Sequence, residues 1–584
     1  MLSDTESSRW QRTKRAFSSW HAFHNAIQLK SSKSLLVNED LLPSPPKRQT
    51  WTAWNFFSYW WSESWAVATW SIGSSLIALG ATIRDALLVV LFANILSAVV
   101  IVFNGRAAAR YHVGYPVLAH TTFGTYASYF FVVLRALLGI IWCGVQLYYE
   151  GQFISICLRC IFPGWTRIPN HIPPEQQITT QGLVGFLLAF LFTLPFMLIH
   201  TSKIRHLFSV KSIIFPLAGM GVVCWATTAN GGVSADKLED ESLRPPTSIF
   251  AWGIISQFNS VMGANSALLV TVPDLARYSK TPNAQVWGQL LGLPLAQTVC
   301  AAFGMITTAA VKNMYGEAYW NPYDLLNGIL DRSYNSKARA GVFFASASFA
   351  FSTLGTSIAC NIVPFAADVT YLASRYINII RGQFLCLIIS FAIVPWRIVA
   401  TANGFLSFLS GYSIFQGSVV GIMIVDYFLI RRGNLHIRDM YTTSPDGRYH
   451  YFYGVNICSI IAFIVGFALP MPGFIGIFGT TTVSDEATHM FYLGWVLSFA
   501  AGAVSYWVTR TLTARSELRE YRYLKFEQLV PQSIDTGDAH DCLIIDGEVI
   551  IGSPVHHDAS ASIRSADNGV EPKVGPGATY KESV

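Results

Sequence analysis

The chain has 584 residues, of which 52% are hydrophobic and only 13% are charged, and its formal net charge is +6 at pH 7. A soluble protein of this size needs more charge to cover its surface, so the composition excludes a set of soluble domains and favours one polytopic membrane domain with tails. Basic loops on the cytoplasmic side of a membrane explain the modest positive charge, and no nucleic-acid partner is needed.

Residues 1–53 are predicted to form a cytoplasmic N-terminal tail. The opening run MLSDTESSRWQRTKRAF lacks the apolar core and small-residue cleavage site of a signal peptide. Eight Lys or Arg residues precede Trp54, and basic segments of this kind stay in the cytoplasm during membrane insertion.

About twelve apolar runs fill residues 54–510, and each is long enough for a membrane-crossing helix. The loops after the even-numbered runs are the more basic ones, which places both termini in the cytoplasm. The predicted spans are 55–79, 84–104, 128–158, 180–200, 209–228, 249–273, 284–311, 340–370, 382–401, 404–430, 452–472 and 488–510. The sequence therefore predicts an all-α polytopic fold.

Spans one and six are predicted to be interrupted. Ser62, Glu63 and Ser64 stand midway along the first run, and small or polar residues crowd the stretch from Asn259 to Ser266 in the sixth. Matching breaks five helices apart are typical of transporters built from two inverted repeats, where unwound backbone meets substrate or ion. The alternative is that these glycines and serines only allow close helix packing.

The third span carries the strongest indication of a site. Trp142, Gln146 and Glu150 recur at intervals of four residues, which places their side chains on one face of a helix. Gln and Glu within a membrane helix are costly unless they face protein or water. The pattern predicts a polar cavity inside a helical bundle, and a packing face with satisfied polar groups is the alternative.

The eighth span offers hydroxyl and amide groups. Ser352, Thr356 and Asn361 can share one broad helix face. Hydroxyl oxygens that face the first span suit a sodium ion, whereas an Asn amide can both donate to and accept from a planar polar ligand. Hydrogen bonds from Ser and Thr to their own helix are the alternative.

Residues 511–584 are predicted to be a cytoplasmic C-terminal tail that is largely disordered, apart from a short surface helix near its start. Lys525, Lys573 and Lys581 are candidate acceptors for ubiquitin, and trafficking machinery that attaches it is a candidate partner. The chain contains no Walker A, HExxH or GxSxG sequence, which argues against ATP-driven transport and against an enzyme. A lone CxxC at Cys157 and Cys160 is too little for a metal site, and no cofactor is expected.

Several separated motifs, in order, resemble the nucleobase-cation-symport-1 family, and specifically its fungal uracil, uridine and allantoin permease branch. The resemblance extends from about Trp51 to Arg432 and more loosely to Trp507. The motifs are NGRAAARYHVGYPVLAHTTFGTYASYF, RALLGIIWCGVQ, PDLARY, INIIRG and VDYFLIRRG.

The resemblance implies a LeuT-like fold, with an inverted repeat of five plus five helices and two further C-terminal helices. It implies that Trp142 stacks on a planar heterocycle, while Gln146 and Asn361 hydrogen-bond the ligand's polar edge. A cation site of bacterial relatives falls near 66–69 and 352–356, and the acidic position of fungal permeases matches Glu63. Fungal members are expected to use protons, with sodium as the alternative.

Span six departs from the family pattern, because Gly263, Ala264 and Asn265 stand where relatives present bulky or charged residues toward the substrate. Smaller residues there admit a larger ligand, so thiamine and nicotinamide riboside are alternatives to uracil, uridine, allantoin or uric acid. A nutrient sensor that binds without transport, and a structural membrane protein, are the alternatives of another class.

The resulting hypothesis is cation symport across the plasma membrane by alternating access. Glu63 and Glu150 are the candidate coupling carboxylates, because a buried carboxylate can change its protonation with conformation. The substrate and the lipid bilayer are the expected partners. Flexible glycines in span ten suggest an outer gate, and its candidate residues are Phe405, Leu406 and Phe408.

Overall fold

The computed structural model describes residues 41–198, 205–232, 247–479 and 481–529, together with two short strands. The strands, Leu543–Ile545 and Glu548–Ile550, pair antiparallel within a separate unit, residues 532–584. Most of the two predicted tails, including Lys573 and Lys581, lies outside the described residues.

Every predicted span coincides with a helix or a helix pair, so the all-α polytopic fold is confirmed. Within the described residues, seven helices are long and apolar enough to cross a membrane, or nine if each of two bent pairs counts as one span. Spans one to six are Ala53–Ser64 with Val67–Ala78, Ile83–Tyr111, Ala127–Ile161, Thr180–Thr193, Arg205–Ala229 and Thr247–Ala276. Spans seven to twelve are Ala284–Tyr315, Ser336–Leu372, Ile379–Ala392, Ala402–Ile430, Ile457–Ala468 with Met471–Phe478, and Asp485–Tyr492 with Gly494–Thr513. Short helices at Tyr115–Phe123, Pro322–Arg332 and Arg515–Tyr523 lie between or after them.

The predicted interruption of span one is confirmed. The helix stops at Ser64 and restarts at Val67, and Ala66 between them is extended, with φ −138° and ψ 151°. The break leaves carbonyl groups without helical partners, and in a membrane such groups must find others. The Ser352 hydroxyl of span eight donates to the Trp65 carbonyl at 2.8 Å, so the eighth span supports the break.

The predicted interruption of span six is wrong, because Thr247–Ala276 is one continuous helix. Its serines donate to carbonyls of their own helix, for example Ser266 to Gly263 at 2.8 Å. A Cβ at Gly263 would lie 2.2 Å from the Leu409 carbonyl oxygen of span ten. The small residues therefore allow two helix backbones to touch, as small residues do at membrane helix interfaces.

Eight of the first ten spans pack as two groups, and each group takes two spans from each half of the repeat. Spans one, two, six and seven pack on one another, and spans three, four, eight and nine form the second group. Span ten packs on spans six and twelve. This equivalence of positions one to four with six to nine is the arrangement expected of an inverted repeat of five helices.

Span eight contains a π-helical segment, Ser357–Ile362, between its two α-helical parts. A π-segment inserts an extra residue into the helical turn, and such segments occur often at functional sites. Asn361, predicted to contact the ligand, lies in this segment.

The residues after span twelve fold back onto the ends of spans two and ten. The carboxylate of Glu527 accepts two hydrogen bonds from Arg106, both at 2.7 Å, and one from Tyr427 at 3.1 Å. Burial by itself raises the pKa of Glu527, but the hydrogen bonds and charges of Arg106 and Arg110 outweigh it and lower the pKa below its ordinary value. We call residues 522–529 the C-terminal strap.

Candidate functional site

Trp142 of span three lies against span ten. Its indole nitrogen donates a hydrogen bond to the Tyr412 hydroxyl at 3.2 Å. Two predicted gate residues contact the same ring, with centroid distances of 6.5 Å for Phe405 and 6.0 Å for Phe408. Leu406, the third predicted gate residue, is also buried, and the gate role of all three residues stays a prediction.

Gln146 lies one helical turn beyond Trp142 and is buried. Its side-chain oxygen has no hydrogen-bond partner among the described residues. Leaving a buried acceptor unpaired costs about 1–3 kcal/mol, and the described residues contain other such amide oxygens, for example those of Gln289 and Gln383 on spans seven and nine. The predicted contact of Gln146 with a ligand stays a prediction.

Asn361 comes close to the same part of span three through the packing of spans three and eight. A Cβ at Gly139, one turn before Trp142, would lie 3.4 Å from the Asn361 carbonyl oxygen. The Asn361 side chain is buried. The backbones of spans three and eight thus approach each other one turn before Trp142, and the ligand contacts of Trp142 and Asn361 stay predictions.

The predicted span-six residues meet other neighbours. Gly263 packs on the span-ten backbone as described above, and Ala264 is half-buried. The Asn265 amide donates to Asn94 at 2.9 Å and to Ser97 at 3.0 Å, both on span two. Asn265 therefore uses its N–H groups between spans two and six and not toward Trp142, and the substrate contacts of these three residues stay predictions.

A buried lysine occupies the region where the sequence predicted a cation. The Lys211 ammonium, with 0% of its side chain exposed, lies 3.8 Å from the Glu63 carboxylate. The same nitrogen donates to the Thr356 hydroxyl at 2.5 Å. The ammonium thus lies between the first part of span one and span eight, with Glu63 and Thr356, two of the four predicted coupling residues, as its partners.

No pattern in the sequence predicts that Lys211 lies beside Glu63. It stands near the start of span five, where basic residues normally mark the end of a membrane helix and point to water. The residues three and four positions away on its own helix are all apolar, so Lys211 has no acidic partner there.

The π-segment of span eight, which contains Asn361, also contacts span one close to the charge pair. The Tyr59 hydroxyl, one turn before Glu63 on span one, lies 3.6 Å from the Cys360 sulfur. Cys360 is the residue directly before Asn361. Of two neighbouring residues in this segment, Cys360 therefore lies near the charge pair, and Asn361 is the residue predicted to contact the ligand.

Glu150 lies apart from this charge pair. Its carboxylate is buried and accepts a hydrogen bond from the Thr193 hydroxyl of span four at 3.3 Å. No Lys or Arg in the described part of the chain lies within ion-pair distance of it. Glu150 is thus a buried acid with a hydroxyl partner, and its coupling role stays a prediction.

A second buried ion cluster joins the two helix groups where span six ends. Arg135 of span three holds Asp368 of span eight with two hydrogen bonds and reaches Asp274 of span six at 2.6 Å. Its guanidinium also lies 4.1 Å from the Tyr115 ring centroid. Arg135 and Asp368 belong to one group and Asp274 to the other, so this cluster holds the groups together at this end.

These features define a helical membrane transporter. A broken first helix, a buried charge pair beside that break and a buried aromatic ring with an amide side chain one turn away are parts from which a binding site between two helix groups can be built. Sites of this kind lie where repeats meet in secondary transporters.

The chain belongs to the family described as permeases for cytosine/purines, uracil, thiamine and allantoin, whose family model matches residues 43–498. It is 32% identical to the allantoin permease of Saccharomyces cerevisiae, over 86% of this chain and 82% of that protein. It is also 32% identical to the uracil permease of the same yeast, over 81% of this chain and 75% of that protein.

Two solved structures of Mhp1 share the fold. The inward-facing form has a TM-score of 0.64 at 19% identity, covering 84% of this chain and 99% of Mhp1. The closed form, described as a nucleobase-cation-symport-1 family transporter with bromovinylhydantoin bound, has a TM-score of 0.63 at 19% identity, covering 84% of this chain and 100% of Mhp1. The predicted family and LeuT-like fold are thus confirmed, and the protein is an integral membrane transporter and not an enzyme.

Proposed function

We propose that this protein imports a planar nitrogen heterocycle or a related ureide, of the uracil, uridine, allantoin or uric acid class, by proton symport with alternating access. The observation that carries the proposal is the buried, unpaired oxygen of Gln146 one turn from the Trp142 ring. The allantoin and uracil permeases of yeast support the substrate class, since each is 32% identical to this chain.

The chemistry of the site suits such a ligand. A flat ring stacked on Trp142 gains about 0.5–1.5 kcal/mol beyond simple burial. A ring N–H group would donate to Gln146, and the amide of Asn361 can match a donor or an acceptor on the next ring atom. Neutral amides recognise a neutral heterocycle without burying a new charge.

The Lys211–Glu63 pair supports protons as the coupling ion. Two like unit charges about 4 Å apart repel each other by about 4 kcal/mol at an effective dielectric constant near 20, so a sodium ion beside the Lys211 ammonium is disfavoured. Proton gain or loss at the pair leaves one charge without its partner. Because an unpaired buried charge is costly, protonation of Glu63 or Lys211 would change which arrangement of spans one, five and eight is preferred.

We propose that both termini lie in the cytoplasm, because the basic tail and even-numbered exits follow the positive-inside rule, and that the protein acts at the plasma membrane, as import from outside the cell requires. Nicotinamide riboside is the second candidate substrate. The nicotinamide riboside transporter of Saccharomyces cerevisiae is 26% identical over 82% of this chain and 80% of that protein.

The test is uptake of radiolabelled uracil, uridine, allantoin, uric acid, thiamine and nicotinamide riboside in cells without their own transporters, with and without a protonophore. We expect protonophore-sensitive accumulation of one compound, lost in Gln146→Ala. Gln152→Ala is the matched control, because Gln152 is on the same helix but its amide lies beside Gly182 of span four. Equal surface abundance is checked for each variant.

Binding of a compound without accumulation would favour the nutrient sensor over the symporter. Unchanged uptake in Gln146→Ala would remove the proposed site, even if the protein transports one of the compounds.

A further inference from the structure

The geometry points to a residue that no sequence pattern indicated: we propose that Tyr412 is a positioning residue that fixes the plane of the Trp142 ring for substrate stacking. The inference rests on the proposed function, since it concerns how the same site selects flat ligands. Tyr412 acts through Trp142 and needs no contact of its own with the substrate.

The contact that carries the proposal is buried and specific. The Trp142 N–H donates to the Tyr412 hydroxyl at 3.2 Å, and both side chains are 8% exposed. Tyr412 lies on span ten and Trp142 on span three, 270 residues earlier. In such a buried place the indole N–H has little access to water as an alternative acceptor, so the bond defines a preferred orientation.

A stacking platform requires a fixed plane. The indole ring of Trp142 swings about its second side-chain torsion, and this torsion is broad when nothing restrains it. The hydrogen bond at the nitrogen and the nearby Phe408 ring, 5.1 Å from Tyr412 and 6.0 Å from Trp142, together restrict that swing. A ring already held in its binding orientation loses less entropy when the substrate stacks on it.

The position of Tyr412 is itself set by the contact of spans six and ten. The backbones touch at Gly263 and Leu409, one turn before Tyr412. The hydroxyls of Ser260 and Ser410 pair at 2.9 Å beside this contact. These contacts fix the position of span ten along span six. At this position the Tyr412 hydroxyl reaches the indole nitrogen of Trp142, which belongs to the other helix group.

A double-mutant cycle tests the proposal, because Tyr412→Phe and Trp142→Phe each remove the same hydrogen bond. A neutral hydrogen bond corresponds to about a threefold to tenfold change in an equilibrium constant. We expect Tyr412→Phe to raise KM for the transported compound by about that factor with little change in maximal rate. In the Trp142→Phe background we expect no further effect, since the donor is already absent.

The matched control is Tyr371→Phe, which removes a buried tyrosine hydroxyl that pairs with Ser128 at 2.9 Å on a different part of spans three and eight. It should leave KM unchanged at equal surface abundance. Equilibrium binding of the radiolabelled compound to the purified full-length protein is measured beside uptake, so that a protein that binds without transport still yields the cycle.

Three results decide the matter. A Tyr412→Phe effect that disappears in Trp142→Phe supports the positioning role. No effect in the unmutated background, or the same effect in both backgrounds, overturns it and leaves the proposed function intact. An unmutated protein that neither binds nor accumulates any compound of the panel refutes the proposed function, and the positioning role with it.

Discussion

Replacing Lys211 by Met should separate proton coupling from substrate binding. The ammonium lies 3.8 Å from the Glu63 carboxylate, and two opposite unit charges at that distance attract each other by about 4 kcal/mol at an effective dielectric constant near 20. Met keeps most of the side-chain volume but removes the charge, which leaves Glu63 buried without its partner. Truncating one member of a buried pair typically costs about 3–5 kcal/mol.

We therefore expect Lys211→Met to lower the thermal stability of the purified protein and to abolish concentrative uptake. The double variant Lys211→Met, Glu63→Gln removes both charges, and replacing a whole buried pair by neutral groups is often close to neutral for stability. It should regain most of the lost stability but not the accumulation. Thermal unfolding and uptake with and without a protonophore measure the two effects separately.

The reasoning is refuted if Lys211→Met accumulates substrate with undiminished protonophore sensitivity. Sodium-stimulated binding in Lys211→Met, absent from the unmutated protein, would support the view that the ammonium fills the place of a cation. Loss of coupling in Glu150→Gln alone, with Lys211→Met unaffected, would move the coupling role to Glu150.

Two further predictions concern the packing of span six and the C-terminal strap. Gly263→Ala should abolish uptake at normal surface abundance, because its Cβ would lie 2.2 Å from a span-ten carbonyl oxygen, whereas Gly253→Ala on the same helix meets nothing within 4 Å and should be silent in the same assay. Glu527→Gln should make the C-terminal strap more sensitive to limited proteolysis, because it weakens the hydrogen bonds to Arg106. Glu520→Gln is the control and should have no such effect, because Glu520 belongs to a half-exposed ion pair. Because the pKa of Glu527 is lowered in the folded protein, its ionised carboxylate stabilises the strap fully above the ordinary glutamate pKa, and this stabilisation is lost as the pH falls through the lowered pKa. In the unmutated protein, the resistance of the strap to proteolysis should therefore decrease as the pH falls through that range.

Hydropathy located the membrane helices, because a bilayer requires about twenty apolar residues per helix and leaves a strong signal in the sequence. The spacing of Trp142, Gln146 and Glu150 was also informative, since the helical period alone places them on one face. Even there the face is broad: Gln146 has an unpaired oxygen near the ligand region, while Glu150 turns to Thr193 of span four. Periodicity predicts a direction but not a neighbour.

The features that the sequence did not reveal depend on contacts between distant helices. A lysine near the start of a span, such as Lys211, has the same local pattern whether it reaches water or a buried carboxylate. Tyr412 stands in an apolar run and has no pattern of its own. In span six the prediction is wrong, because glycine and serine occur both in broken helices and at close contacts between helices. The contact of Gly263 with Leu409 of span ten shows that here they allow a close contact.

In the proposed mechanism, the π-segment of span eight would link substrate binding to proton binding. Cys360 contacts the Tyr59 hydroxyl, one turn from Glu63, and the next residue of the segment, Asn361, is proposed to bind the ligand. A π-turn has one residue more than an α-turn, so its return to regular helix rotates both side chains together. If the substrate holds Asn361 as proposed, it also fixes Cys360 and hence the surroundings of the Glu63–Lys211 pair. Substrate and proton would then favour the same arrangement of span eight, which is the energetic coupling that symport requires.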